Sequence, residues 1–201
     1  MPNMIDYLKW RGDLTFQVSE FNEVDNLIFC DLSYLVFSGM ISDSFAHSIS
    51  LHDLADSYAS SKHTNSKTSI GMLINPKVVE LLSIAGESER FKNCIVRGYT
   101  DIIDPKKEKQ FAALTFTYMK NKHFIAFRGT DDTLIGWKED FNMAFLDAIP
   151  SQLEAVHYTN KAISSLRGTF ILGGHSKGGN LAAYAGACID SKNTKKISAI
   201  Y

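Results

Sequence analysis

Ile171-Leu172-Gly173-Gly174-His175-Ser176-Lys177-Gly178-Gly179-Asn180-Leu181 decides how the rest of the chain is read. Before it, Thr169 to Leu172 is an apolar run of the length of a buried strand. After it, Leu181-Ala182-Ala183-Tyr184-Ala185-Gly186-Ala187-Cys188 is small and apolar, a pattern suited to a helix packed close to a sheet. Between the two, Gly174-His175-Ser176-Lys177-Gly178 has the spacing G-x-S-x-G. A strand that reverses directly into a helix holds the middle residue in a strained backbone conformation. Helix and strand crowd the flanking positions, where glycine leaves room. The outcome is a hydroxyl presented at a helix N-terminus, beside free N–H groups able to bind a developing oxyanion.

Other glycine-rich loops do not fit. A phosphate-binding loop needs G-x-x-x-x-G-K-[ST], and Lys177 is followed by Gly178; a dinucleotide loop needs G-x-G-x-x-G, which Ser176 breaks. The stretch reads as a nucleophile elbow with Ser176 as the nucleophile.

The 201 residues allow one domain with a real core. Hydrophobic residues at 45% and charged residues at 21% are ordinary for a soluble protein, and a net charge of −1 supplies no field to recruit nucleic acid or an anionic membrane. Cys30, Cys94 and Cys188 are odd in number and form no C-x-x-C pair, which argues against a disulfide framework and a zinc site. His47, His52 and His63 lack ligand spacing and read as surface residues, so no metal and no cofactor are expected. Met1 to Trp10 lacks the basic start and apolar core of a signal peptide, and no run of about 18 apolar residues is present to span a bilayer. The expected location is the cytoplasm.

In chain order, Met4–Trp10 reads as a short helix stopped by Gly12, and Asn22–Phe37 as an amphipathic helix capped by Asn22. A short helix at Leu51–Tyr58 leads into a polar loop centred on Ser60–Ser66, and Asn75-Pro76 opens a helix over Lys77–Ala85. The period then changes. Cys94–Ile103, Phe111–Met119 and His123–Phe127 are aromatic and β-branched, with turns between them, and read as an antiparallel meander. Ser151–Leu166 follows as a helix with Leu153, Val156, Ala162, Ile163 and Leu166 inward, then the strand Thr169–Gly173, the elbow and its helix, and a last parallel strand within Lys195–Tyr201. The expected class is α/β: a mainly helical part over 1–90, then a sheet carrying the elbow over 91–201, with right-handed β-α-β connections.

His123–Phe127 runs straight into Arg128-Gly129-Thr130-Asp131-Asp132, then Trp137 and Asp140. Gly129 lets the backbone turn, and Thr130 offers an N–H and a hydroxyl to an oxyanion, with the N–H of Lys177 as the second donor. Leu134-Ile135-Gly136-Trp137, just beyond, could cover the site; the alternative favoured here makes Trp137 a core residue. Phe127-Arg128-Gly129-Thr130, Trp137, Asp140 and Gly174-His175-Ser176-Lys177-Gly178-Gly179 together resemble the class 3 lipases. The N-terminal stretches Asp6–Asp13 and Phe21–Asp25 look like a related lipase-like bacterial family of unknown function. The resemblance implies an α/β-hydrolase fold, Ser176 as nucleophile, Thr130 and the Lys177 N–H as oxyanion donors, and a small-molecule or lipid acyl ester as substrate. Lys177 stands where a small residue is commoner, which leaves substrate preference open.

In that fold the triad runs Ser, then Asp or Glu, then His. After Ser176 there is no histidine and one acid, Asp190, placed near the end of the elbow helix, where it reads as a solvated terminus residue. His175 adjoins Ser176 on a tight turn and is expected to pack, not to act as base, and His123 and His157 read as structural or exposed. The expectation is therefore a truncated hydrolase domain, with the missing Asp and His beyond Tyr201 and an exposed sheet edge that invites self-association. Two functions follow: a lipase-like serine esterase, or a non-catalytic lipase-like domain that binds an acyl ligand or a protein partner. Acyl transfer to an acceptor other than water would use the same residues.

Overall fold

The aromatic and β-branched segments between Ile95 and Phe127 form three long strands in the computed structural model of the chain, which describes residues 3–61, 77–131 and 133–201. These are β2 (Ile95–Asp104), β3 (Lys109–Met119) and β4 (Lys122–Phe127), paired antiparallel as the meander requires. A two-residue strand, β1 (Ile49–Ser50), adds to the free side of β2. Beyond β4 the pairing becomes parallel through β5 (Thr169–Gly174) and β6 (Ile197–Ile200). The result is a six-stranded mixed sheet in sequential order, flanked by helices. Parallel neighbours need crossover connections, and both crossovers here are helical.

Alternation along the central strands divides their side chains between two cores. On β4, Phe124 and Ala126 join one core while Ile125 and Phe127 join the other; on β5, Ile171 opposes Phe170 and Leu172. The first core is covered by α1 (Met4–Arg11), α2 (Glu23–Leu32), α3 (Leu51–Ala59) and α4 (Val78–Glu87). The second is covered by α6 (Pro150–Ser165) and α7 (Lys177–Cys188). Between β4 and α6 lies α5 (Leu134–Asn142). Being buried on both faces, β4 and β5 read as nearly continuous apolar runs.

Asn3 and Asn22 cap α1 and α2 in the same way, each accepting two backbone N–H groups while Asp6 or Asp25 bonds back to the cap. The second helix is shorter than its periodicity predicts. At Ser33 the hydroxyl donates to the Cys30 carbonyl at 2.6 Å, and tight turns then carry Leu35 and Phe37 into the core. On α6, Leu153 is 58% exposed, a reversal of its expected inward place. The face meeting the sheet belongs to Ala155, Tyr158, Thr159 and Ala162, which stand on the opposite side of that helix. The polar loop beyond Ser61, with His63, and the Asn75-Pro76 helix opening lie outside the described residues. Among the described residues no helix is long and apolar enough to cross a membrane.

Arg90, 3% exposed, ties the N-terminal segment down. Its Nε and a terminal nitrogen donate to the two oxygens of Asp25 at 2.8 and 2.5 Å, and its remaining donors reach the carbonyls of Leu14, Ser19 and Glu20. The guanidinium also lies 4.1 Å from the centroid of Phe16. All five N–H donors of the side chain are therefore used.

His123 is buried at the start of β4, with Nδ1 2.9 Å from the Thr117 hydroxyl and Nε2 3.0 Å from the Arg167 carbonyl. Burial, with a smaller push from Arg97, lowers its pKa below the usual 6.5, although the Arg167 carbonyl opposes the shift. A base with a depressed folded pKa takes its proton first in the unfolded chain, so its stabilisation is full above pH 6.5 and declines as pH falls below it. The expected result is a urea midpoint that drops on acidification below pH 6.5 and drops less in His123→Gln. Parallel pH profiles of the two proteins would refute the assignment.

Candidate active site

Ser176 has φ 58° and ψ −122°, a left-handed backbone for a non-glycine residue, at the junction between β5 and α7. Such a conformation costs about 1–3 kcal/mol and persists only where the surroundings enforce it. The enforcement is visible in the flanking glycines. A Cβ on Gly174 would lie 2.3 Å from the carbonyl carbon of Gly178, and one on Gly178 would lie 2.1 Å from the Phe127 carbonyl oxygen. Strand, turn and helix are in direct backbone contact, and the serine stands out of that contact, exposed.

The parallel register of β4 and β5 sets Phe127 opposite Gly174, so both strands end together. Arg128 continues β4 and is anchored on β2: a guanidinium nitrogen bonds an Asp101 oxygen, whose other oxygen accepts the Tyr99 hydroxyl at 2.8 Å. Gly129 then passes so close to the elbow that a Cβ there would sit 2.5 Å from the His175 carbonyl oxygen. This approach brings Thr130 beside the elbow. Its hydroxyl donates to Asp140 at 2.5 Å, so that group is committed within the protein and the backbone N–H is the donor left over. Neither the Thr130 N–H nor that of Lys177, the first residue of α7, has a hydrogen-bond partner among the described residues.

The Lys177 side chain lies apart from its backbone N–H. It is 1% exposed and turns inward, donating to the carbonyl of Gln110 at 2.9 Å, to Gln110 Oε1 at 2.7 Å and to Glu139 Oε2 at 2.9 Å. Glu139 is fully buried on α5 and satisfied on both oxygens, accepting the Gln110 N–H as well as the Ser151 N–H and hydroxyl. The sequence reading missed Glu139, Gln110 and Ser151. The one signal was Lys177 itself, a lysine among small residues; only its burial, seen in the fold, requires a partner carboxylate.

Two expectations change. His175 is exposed instead of packed, with Nδ1 3.2 Å from the hydroxyl of Tyr34. Tyr34, unremarked in the sequence, stands where a Cβ on Gly129 would meet its hydroxyl at 2.3 Å, so its phenol bridges the turn before Thr130 and the residue before Ser176. Burial pushes that phenol up to about 12, against hydrogen bonding from the Gly129 backbone, so it stays protonated at neutral pH. Trp137 is 45% exposed and is not core. It belongs to a helix with inverted polarity: Leu134, Trp137 and Phe141 face solvent while Gly136 and Glu139 face inward. Asp190 stands where the sequence puts it, exposed just beyond the end of α7 and 3.6 Å from Lys192. No described residue hydrogen-bonds the Ser176 hydroxyl.

Comparison with protein families matches residues 85–201, more than half of the chain and all of the sheet from β2 onward, to the family described as Mbeg1-like. No curated protein and no solved structure matches.

Proposed function

We propose, on the premise that the chain belongs to the Mbeg1-like family, a lipase-like family of unknown function, that Ser176 is the nucleophile of a serine hydrolase acting on an acyl ester. The observation that carries this reading is the left-handed backbone of Ser176, flanked by Gly174 and Gly178, at each of which a Cβ would collide with neighbouring backbone. A protein keeps such strain where an exposed hydroxyl at a helix start has a use. In the proposed reaction Oγ attacks the ester carbonyl carbon, the carbonyl π pair moves to oxygen, and the N–H groups of Thr130 and Lys177 receive the oxyanion. Each such donor is worth about 3–4 kcal/mol of barrier. As the C=O bond re-forms and the bond to the alkoxide oxygen breaks, the proton given up by Oγ passes, through water, to that oxygen, so the alcohol leaves and an acyl-serine remains for water or another acceptor. The scaffold for this chemistry is an α/β-hydrolase-like sheet, in which the strand carrying the oxyanion turn neighbours the strand carrying the elbow.

A second reading rests on a specific observation: no described residue is bonded to the Ser176 hydroxyl to take its proton, and His175 is engaged with Tyr34. On that reading the site binds an acyl ligand without turnover. Hydrolysis of p-nitrophenyl butyrate separates the two. Turnover above buffer that disappears in Ser176→Ala supports the enzyme. Absent turnover, with saturable binding of a fatty acid by the folded chain, supports the binding domain.

A further inference from the structure

Consecutive residues of α5 reach two different segments of the site: Glu139 bonds Lys177 on the elbow helix, and Asp140 bonds Thr130 on the oxyanion turn. Both carboxylates point inward, while the apolar side chains Leu134, Trp137 and Phe141 are 82%, 45% and 70% exposed. A helix that turns its apolar face to solvent is not held by hydrophobic burial. What holds α5 is polar: Glu139 with Lys177, Gln110 and Ser151, and Asp140 with Thr130.

We propose that the buried Lys177–Glu139 ion pair is the positioning element of this site. It locks α5 onto the elbow, and through the next residue, Asp140, it fixes the oxyanion turn, so that the N–H groups of Thr130 and Lys177 are held by one rigid unit. The proposal rests on the reading of Ser176 as nucleophile and Thr130 and Lys177 as donors. It gives the Lys177 side chain a role distinct from its backbone. Neither Lys177 Nζ nor Glu139 touches substrate; both act through the backbone they hold. An ion pair with side chains 1% and 0% exposed is costly to desolvate, and nothing in stability alone favours it over packed apolar groups. Precision in the placement of two backbone donors is a use that fits the cost.

The test uses Lys177→Met/Glu139→Gln, which removes both charges together while keeping an amide oxygen for one of the two backbone N–H groups that Glu139 accepts. The single variant Glu139→Gln accompanies it, and Lys109→Met, which breaks the Lys109–Glu154 pair at 2.7 Å, serves as control. Two quantities are read on folded protein: the rate at which a fluorophosphonate labels Ser176, and amide hydrogen exchange at Thr130, across α5 and at the start of α7. The expected result is labelling slowed about 100-fold in the double variant, the loss that a displacement of about 1 Å produces, with exchange at least about tenfold faster in those segments alone, and both unchanged in Lys109→Met. Labelling within twofold of the parent, with unchanged exchange, would overturn the proposal. Should the parent itself take no label, the nucleophile reading falls by itself and exchange decides: local acceleration upholds the positioning role, and its absence ends it. Should the double variant not fold, Ser151→Ala, which removes one hydrogen bond from Glu139, is read in the same two ways.

Discussion

Arg90→Met is expected to cost about 3–5 kcal/mol, the loss typical of removing one partner from a buried ion pair, and to lower the unfolding temperature by roughly 10 °C for a chain of this size. The methionine fills the space but leaves the Asp25 carboxylate, fully buried, without its cation, and strips donors from the carbonyls of Leu14, Ser19 and Glu20. Asp25 keeps only the Asn22 N–H and the Tyr7 hydroxyl among its hydrogen bonds. Because Arg90 joins the turn after α4 to segments about seventy residues earlier, the loss should fall first on Leu14–Glu20, which carries Phe16 into the core. Arg90→Met/Asp25→Asn removes both charges and should recover part of the loss, a coupling that a double-mutant cycle in urea measures. A single variant with an unchanged midpoint would show that Arg90 does not anchor this segment.

Gly178→Ala is expected to be the most damaging single-methyl change at the elbow. Its Cβ would lie 2.1 Å from the Phe127 carbonyl oxygen and 3.0 Å from the carbon behind it, both backbone atoms at the end of β4. Neither can rotate away, so β4 and α7 must separate. Overpacking of this kind costs about 1–3 kcal/mol or more, and the same movement carries Thr130 away from Ser176, for which a labelling-rate loss of about 100-fold is expected if Thr130 is an oxyanion donor as proposed. Gly179→Ala is the comparison. Its nearest neighbour is the Gly174 carbonyl oxygen at 3.0 Å, so it should lose much less in both urea midpoint and labelling rate. Equal behaviour of the two variants would contradict the close contact of strand, turn and helix.

The parts of the fold legible in sequence are those decided by local chemistry. The Asn22 cap, the meander from Ile95 to Phe127 and the strand–turn–helix at Ser176 each follow from residue types within a few positions of one another. The β1 strand was not legible, because two residues carry no period. Leu153 and Trp137 were misread for a shared reason: an apolar residue in a helix suggests a core, but which face meets the sheet is set by packing, and α5 is held through its carboxylates. The candidate site divides along the same line. Ser176, Gly174, Gly178 and Thr130 were legible from the two turns. Glu139, Gln110, Ser151 and Tyr34 were not, because they come from four separate segments that only the tertiary fold assembles around Lys177 and Gly129.

Intact-mass analysis of the chain after brief exposure to a fluorophosphonate, with peptide mapping of the adduct, tests the central claim most directly. Uptake of one label on Ser176, absent in Ser176→Ala, is the result expected of a strained and activated nucleophile. A folded chain that takes no label, or that carries it on another residue, would contradict the assignment of Ser176.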